Sequence, residues 1–225
     1  MMDFEMPSDT SILSRLSRQT VQRYGERYAR LGHHVRSLGW GCEQDQAIRF
    51  GQTLRVLPDP CGTLLDIGCG FGDLLTFLTK HNAAPANYLG WDITPGFVEE
   101  ANRIHAASPT ARFAVSNLME KVAEEPVADC AVMLGLMNFN WQGQIDNLEY
   151  SKHMIRQAFS MVRSTLVFDF LSTHLTPTYP AETGVFYHDP AEMMDFAFSL
   201  TSSVTLLHDY PAIPQRECML ALRKN

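Results

Sequence analysis

The chain has 225 residues, 45% of them hydrophobic, and a formal net charge of −7. That length and apolar share suit one α/β domain with a full core and exclude a disordered chain. No Lys/Arg cluster offers a nucleic acid a docking face, and no apolar run approaches the ~20 residues of a membrane span.

The opening Met-Met-Asp-Phe-Glu is acidic where a leader peptide would be basic, so a cytoplasmic protein is expected. Five scattered cysteines without a CxxC pair read as free thiols. Residues 1–10 read as frayed. Ser11 to Leu31 reads as a helix, with Ile12, Leu16, Val21, Tyr24 and Tyr28 at loosely helical spacing, and Gly32 and Gly39 break it. A second helix starts at Trp40 and runs toward Leu57, where Pro58 and Pro60 end it.

From Thr63 the pattern alternates. Thr63 to Ile67 is a β-prone run, Gly68, Gly70 and Gly72 follow at every second position, and Asp73 to Lys80 reads as a helix. Glycines there allow positive φ and let a ligand lie against the backbone, while the helix start points free N–H groups at it. Asn87 to Trp91 is a second strand ending in Asp92, and Phe97 to Ala107 a helix introduced by Pro95. Arg112 to Ser116 and Asp129 to Leu134 are the next strands. Ile145 to Met161 is a helix and Thr165 to Leu171 a fifth strand. Residues 172–189 form a long loop, and Asp189 caps a helix over Pro190 to Leu200. Val204 to Tyr210 and Cys218 to Arg223 form a last β pair, joined by a turn at 211–216.

The glycine run is not the dinucleotide fingerprint GxGxxG, because its third glycine comes one residue early. Asp66-x-Gly-x-Gly-x-Gly, with a second strand ending in an acid about twenty residues on, resembles the opening motifs of class I S-adenosylmethionine-dependent methyltransferases, small-molecule type. The resemblance implies a Rossmann-like, seven-stranded, mostly parallel sheet with an antiparallel last strand, helices on both faces and an N-terminal helical lid. It divides the chain into a lid over 1–60 and a methyltransferase domain over 61–225, with a cover loop at 172–189. It implies S-adenosylmethionine as cofactor and S-adenosylhomocysteine as product.

By the same resemblance, Asp66, Gly68, Cys69, Gly70 and Gly72 shape the cofactor turn, and Asp92, followed by Ile93, accepts the ribose hydroxyls. Asn117 and Leu118 flank the adenine, where many members carry an acid in place of Asn117. Leu134 and, from the lid, Arg49 complete the cofactor set. Tyr24, Tyr28, Trp40 and Gln46 ride on the lid. Phe139, Asn140 and Trp141, at the end of the fourth strand, form the pocket floor with Asn138. His174 and Tyr179 come from the cover loop, and Tyr24, Tyr28 and Trp40 join these as acceptor contacts. His188 is the first candidate for a general base, with Tyr187 beside it and Asn138 as further catalytic candidates. His33 and His34 are adjacent and diverge on a helix, so no metal site is expected.

Aromatic residues around the site favour a small, partly apolar acceptor, with no nucleic acid or membrane partner and a monomer or homodimer. A nicotinamide-dependent oxidoreductase lacks an evident hydride-transfer pair here. Another reaction of the same cofactor and a non-catalytic cofactor-binding partner are the remaining alternatives.

Overall fold

The computed structural model describes residues 10–120, 125–210 and 217–224. The frayed start (apart from Thr10, which opens the first helix) and the turn expected at 211–216 lie outside the described residues.

The chain folds as α1 (Thr10–Leu31), a 3-10 turn (Val35–Leu38), α2 (Glu43–Thr53), β1 (Thr63–Ile67), α3 (Asp73–Lys80), β2 (Asn87–Asp92), α4 (Pro95–Ile104), β3 (Ala111–Val115), β4 (Ala128–Met133), α5 (Asn147–Ser160), β5 (Val162–Leu171), α6 (Pro190–Leu200), β6 (Ser203–Leu207) and β7 (Glu217–Arg223). The expected second helix is shorter than read: it starts at Glu43 rather than Trp40, after a separate 3-10 turn that Gly39 ends at φ 89°, and it stops at Thr53.

The seven strands lie in the order β3-β2-β1-β4-β5-β7-β6. All run parallel except β7, which pairs antiparallel with β5 and β6. This is the Rossmann-like sheet expected from the motif. Its central strands are apolar on both faces, as a sheet covered by helices on both sides requires. Ala131 and Met133 of β4 pack under α5 and α6 with Ile155, Ala158 and Met193. Cys130 and Val132, one residue out of step, pack on the opposite face with Leu74, Leu78 and Val98 of α3 and α4. Asp146 and Asp189 cap α5 and α6 by accepting the N–H groups of Leu148 and Ala191. Among the described residues, no helix is long and apolar enough to cross a membrane.

The N-terminal helices lie over the carboxyl edge of this sheet. Phe71, inside the glycine turn, is fully buried and is the point where they attach. Its ring centre lies 5.6 Å from Tyr28, 4.5 Å from His33 and 5.0 Å from Phe97. Replacing Phe71 with alanine removes a large buried ring, with an expected cost of about 3–5 kcal/mol in urea unfolding. Hydrogen exchange in α1 should accelerate in the same variant. Unchanged protection of α1 would show that the helix is held elsewhere.

Candidate functional site

The strand order reverses between β1 and β4, and open α/β sheets bind ligands at such a switch point, outside the carboxyl ends. A cavity of about 880 Å³ lies there. The turn after β1 forms its floor, α1 its roof, and the turn after β4 its far wall.

The floor is stitched to β2. Gly68 and Cys69 donate their N–H groups to the Trp91 carbonyl at 2.7 and 3.0 Å. Asp92 accepts from the Gly70 N–H at 3.0 Å and from the Thr94 N–H at 2.8 Å. Both turn glycines hold positive φ, +77° at Gly68 and +54° at Gly70. A β-carbon on Gly70 would lie 2.7 Å from a methyl of Leu38, so the Leu38 side chain would have to shift, and φ of +54° there favours glycine as well. Asp66 accepts a short bond from the Tyr88 hydroxyl. Burial pushes its pKa up to about 7, with the Tyr88 bond opposing and the charges of Asp92 and Asp73 adding to the rise. Asp92 is raised too, by burial, against the pull of its backbone bonds.

Asp66, Gly68, Cys69, Gly70, Asp92, Ile93, Asn117, Leu118 and Leu134 all line the cavity. Ser116 lines it as well, and its buried hydroxyl has no partner among the described residues. A nucleoside there would meet the Asp92 carboxylate, the spare Ser116 hydroxyl and a glycine backbone without side chains, so the lining fits one. Asn117 is partly engaged: its amide donates to Ser17 of α1 at 2.8 Å and its oxygen accepts from the Met119 N–H. Gly72 lies away from the cavity. A β-carbon on it would strike His105 and Phe113, so it serves the packing of α3 against β3.

Arg49 lines the cavity but is committed elsewhere. It is buried, makes short contacts with Glu217 and lies 3.4 Å from Asp169. Its guanidinium stacks 4.4 Å from the Trp40 ring centre. Burial works against its charge, but Glu217 and Asp169 outweigh that and raise its pKa. Asp169, buried with Glu217 nearby, is held above the usual carboxylate range. Asp169 also accepts the Gly135 N–H at 2.6 Å, so the cluster ties α2 to the ends of β4, β5 and β7. Arg49 therefore supports the site rather than offering a free cation to a cofactor.

On the acceptor side, Tyr24, Trp40, Asn138, Phe139, Trp141 and Tyr179 line the cavity. The cover loop is pinned to the turn after β4. Phe186 donates to the Asn138 carbonyl, Asn140 donates to the Gly184 carbonyl, and Phe139 bridges Val185. Five expected acceptor or catalytic residues, Tyr28, Asn140, His174, Tyr187 and His188, lie outside the cavity lining. Tyr28 packs on Phe97, 5.7 Å between ring centres, and Asn140 folds back to accept the Gln142 N–H. His174 is exposed, and Tyr187 uses its hydroxyl to hold the Glu182 N–H.

His188 is the largest departure. It is buried, bonds Ser151 at 2.9 Å through Nε2, and sits between the rings of Phe170 and Phe186. Burial drives its pKa down to about 4. It reaches no acceptor and cannot serve as a base there. No histidine lines the cavity among the described residues. The residues that sequence reasoning passed over are Arg23 and Arg27 of α1 and Tyr150 of α5, all in the lining. The signal for the first two was their i, i+4 spacing beside Tyr24. No group of three potential metal ligands occurs among the described residues.

Residues 65–166 match the family described as "Methyltransferase domain". Among solved structures, similarity extends to a *Haemonchus contortus* phosphoethanolamine N-methyltransferase 1 in complex with phosphoethanolamine and S-adenosylhomocysteine, at 13% identity and TM-score 0.67. It covers 93% of this chain and 49% of that one. A S-adenosylmethionine-dependent methyltransferase from Listeria monocytogenes shares 14% identity and TM-score 0.59, covering 80% of this chain and all of that one. The methyltransferase domain of bacterial CtHen1-CN gives 15% and 0.58 with the same coverage. No curated protein matches the sequence.

Two outcomes follow for the buried groups. Arg49→Met leaves Glu217 and Asp169 in the core without a cation, held only by the Tyr210 hydroxyl and the Gly135 N–H, and should cost about 3–5 kcal/mol in urea unfolding. Adding Glu217→Gln should recover part of that loss, and a single-variant loss below about 1 kcal/mol would contradict the clamp. For His188, the folded pKa lies below the usual 6.5, so between pH 6.5 and 4 the unfolded chain takes up a proton that the folded one refuses. Wild type should therefore lose about 3 kcal/mol relative to His188→Asn as pH falls from 7.5 to 4. The carboxylates are common to both proteins and cancel in the difference. Parallel stability curves would contradict the buried, neutral assignment.

Proposed function

We propose that this chain, which belongs to the class I S-adenosylmethionine-dependent methyltransferases, transfers the methyl group of its cofactor to a small metabolite through an oxygen, nitrogen or sulfur atom. The observation that carries the reading is the single cavity that runs from the glycine turn and Asp92 to Phe139 and Trp141 beneath α1. It has room for a cofactor and a small acceptor together, and a roof that keeps bulk water out.

The cofactor supplies an activated methyl group on a sulfonium, and S-adenosylhomocysteine is the product. Asp92 holds the ribose hydroxyls while its other bonds keep the turn in place. Asn117 and Leu118 flank the adenine, and Ser116 offers its unpartnered hydroxyl beside them. Asp66, with the glycine turn, faces the ammonium end. Phe139, Trp141 and Tyr179 position the acceptor so that its lone pair forms the bond to the methyl carbon as the carbon–sulfur pair returns to sulfur. Residues through 60 act as a lid and residues 172–189 as a second cover. With no histidine in the lining, catalysis rests on proximity and orientation, which can supply up to roughly 7–11 kcal/mol in favourable systems. The acceptor's proton, where it has one, leaves to water. A cytoplasmic location fits a metabolite substrate.

Calorimetric titration with S-adenosylhomocysteine across pH tests this. Asp66 carries a proton below about 7 in the free protein. The ligand's ammonium favours the carboxylate, so binding below pH 7 must release that proton. Affinity should fall about tenfold per pH unit below 7 and level off above it. Asp66→Asn should bind weakly with a flat profile. Absence of binding by folded wild type, or preferential binding of NAD⁺, would overturn the function, and a flat wild-type profile would remove Asp66 from it.

A further inference from the structure

The roof of the cavity carries two arginines that the proposed transfer does not use. Thr20, Arg23, Tyr24 and Arg27 fall at i, i+3, i+4 and i+7 on α1, and all four line the cavity. The Arg23 guanidinium carbon lies 4.0 Å from the ring centre of Phe139. That of Arg27 lies 5.3 Å from the Tyr24 ring centre, and its Nη1 comes within 3.1 Å of where a side chain on Gly39 would begin. Among the described residues, neither lies within 4.0 Å of a carboxylate, unlike Arg49 in the same cavity.

The carboxylates of Asp66 and Asp92 lie on the opposite side, at the sheet edge. Asp45, Asp73 and Glu182 line the cavity too, and Arg49 is its third guanidinium, neutralised by Glu217 and Asp169, which leaves Arg23 and Arg27 on the roof facing the acids of the floor. A guanidinium stacked on a ring keeps its N–H edge free, and that edge matches an oxyanion in a two-point grip. The floor repels the same oxyanion. An acceptor with an anionic end is therefore held one way round, with its far end toward the glycine turn.

We propose that Arg23 and Arg27 form an anion subsite for the methyl acceptor, which is a small molecule with a carboxylate or phosphate group and an apolar or aromatic body seated against Phe139 and Trp141. This rests on the methyltransferase reading. The arginines hold the oxyanion, the aromatic wall takes the body, and the nucleophilic atom points to the floor. The specificity lies in the roof, on a helix outside the region that matches the family, residues 65–166.

The full chain saturated with S-adenosylhomocysteine should be titrated with phenylacetate, phenyl phosphate and the neutral phenylacetamide. At least one anion is expected to bind, the amide at least about tenfold more weakly, and the stronger anion names the oxyanion class. Arg23→Gln and Arg27→Gln should each weaken the anion about tenfold, with S-adenosylhomocysteine affinity held within about twofold. Binding of neither anion, equal binding of anion and amide, or anion affinity unchanged in both variants would overturn the proposal. So would a loss of about tenfold in S-adenosylhomocysteine affinity, which would place the arginines on the cofactor's own carboxylate. Both positions are on the cavity side of a surface helix, and circular dichroism checks that the variants fold. Failure of wild type to bind S-adenosylhomocysteine at all is a separate result, and it overturns the methyltransferase reading itself.

Discussion

The bonds between the turn after β1 and the end of β2 set the rest of the site. Two turn amides converge on the Trp91 carbonyl and a third on the Asp92 carboxylate. Backbone amides at positive φ have no ladder partner, so leaving them unpaired in a buried turn would cost the desolvation of each. The Trp91 carbonyl meets two of them and Asp92 the third, and Asp92 stays at the cavity wall. One side chain thus joins two strands and presents an acceptor. Glycine suits the turn because Gly68 and Gly70 hold positive φ and because a Leu38 methyl lies 2.7 Å from where a β-carbon at Gly70 would stand. Turn, acid and lid are one constraint rather than three.

A second tie, the Arg49 cluster, sets the angle of the lid's second helix. Two carboxylates and one guanidinium are buried together, which is seldom worth more to stability than apolar packing of the same shape. Its value here is geometric. Arg49 can satisfy Glu217 of β7 and Asp169 of β5 only when α2 sits at one place over the sheet edge. The same place brings Trp40 against Gly135, at 3.2 Å from its would-be β-carbon. Gln46, one turn earlier on α2, reaches Asp73 at the start of α3 at 3.1 Å. The lid is therefore held by directional polar contacts at one end and by the Phe71 ring cluster at the other.

Much of the fold could be read from the sequence because its signals are local. Strand runs such as Leu64 to Ile67 and the helix starts at Asp73, Pro95 and Pro190 are set by neighbours within a few residues, and the motif fixed the topology they imply. That Asp66, Gly68, Gly70 and Asp92 come together at one cavity was legible for the same reason, since they are spaced along one βαβ unit. The acceptor side was not. His188 was chosen for its chemistry, but burial against Ser151 is decided by α5, thirty-seven residues away in the chain. Arg49 read as a free cation because its partners, Asp169 and Glu217, lie over a hundred residues downstream and meet it only when the sheet closes. Arg23 and Arg27 were overlooked because the helix was read for its apolar stripe, and the face that looks into the cavity is its polar one.

That polar face bears on how the site works. On the proposed reading, a sulfonium cofactor would bring its own driving force and leave the protein to fix the acceptor in line and to exclude water. Apolar walls such as Phe139 and Trp141 hold a body of roughly the right size but leave it free to turn. Charge placed at one end of the cavity, with opposite charge at the other, removes that freedom without adding contacts near the reacting atoms. The acids of the floor are tied to the sheet, Asp92 by the Gly70 N–H and Asp66 by the Tyr88 hydroxyl, whereas the arginines ride on α1, whose position depends on the Phe71 cluster and on bonds such as Asn117 to Ser17. Orientation of the acceptor and closure of the lid are thereby coupled through one helix.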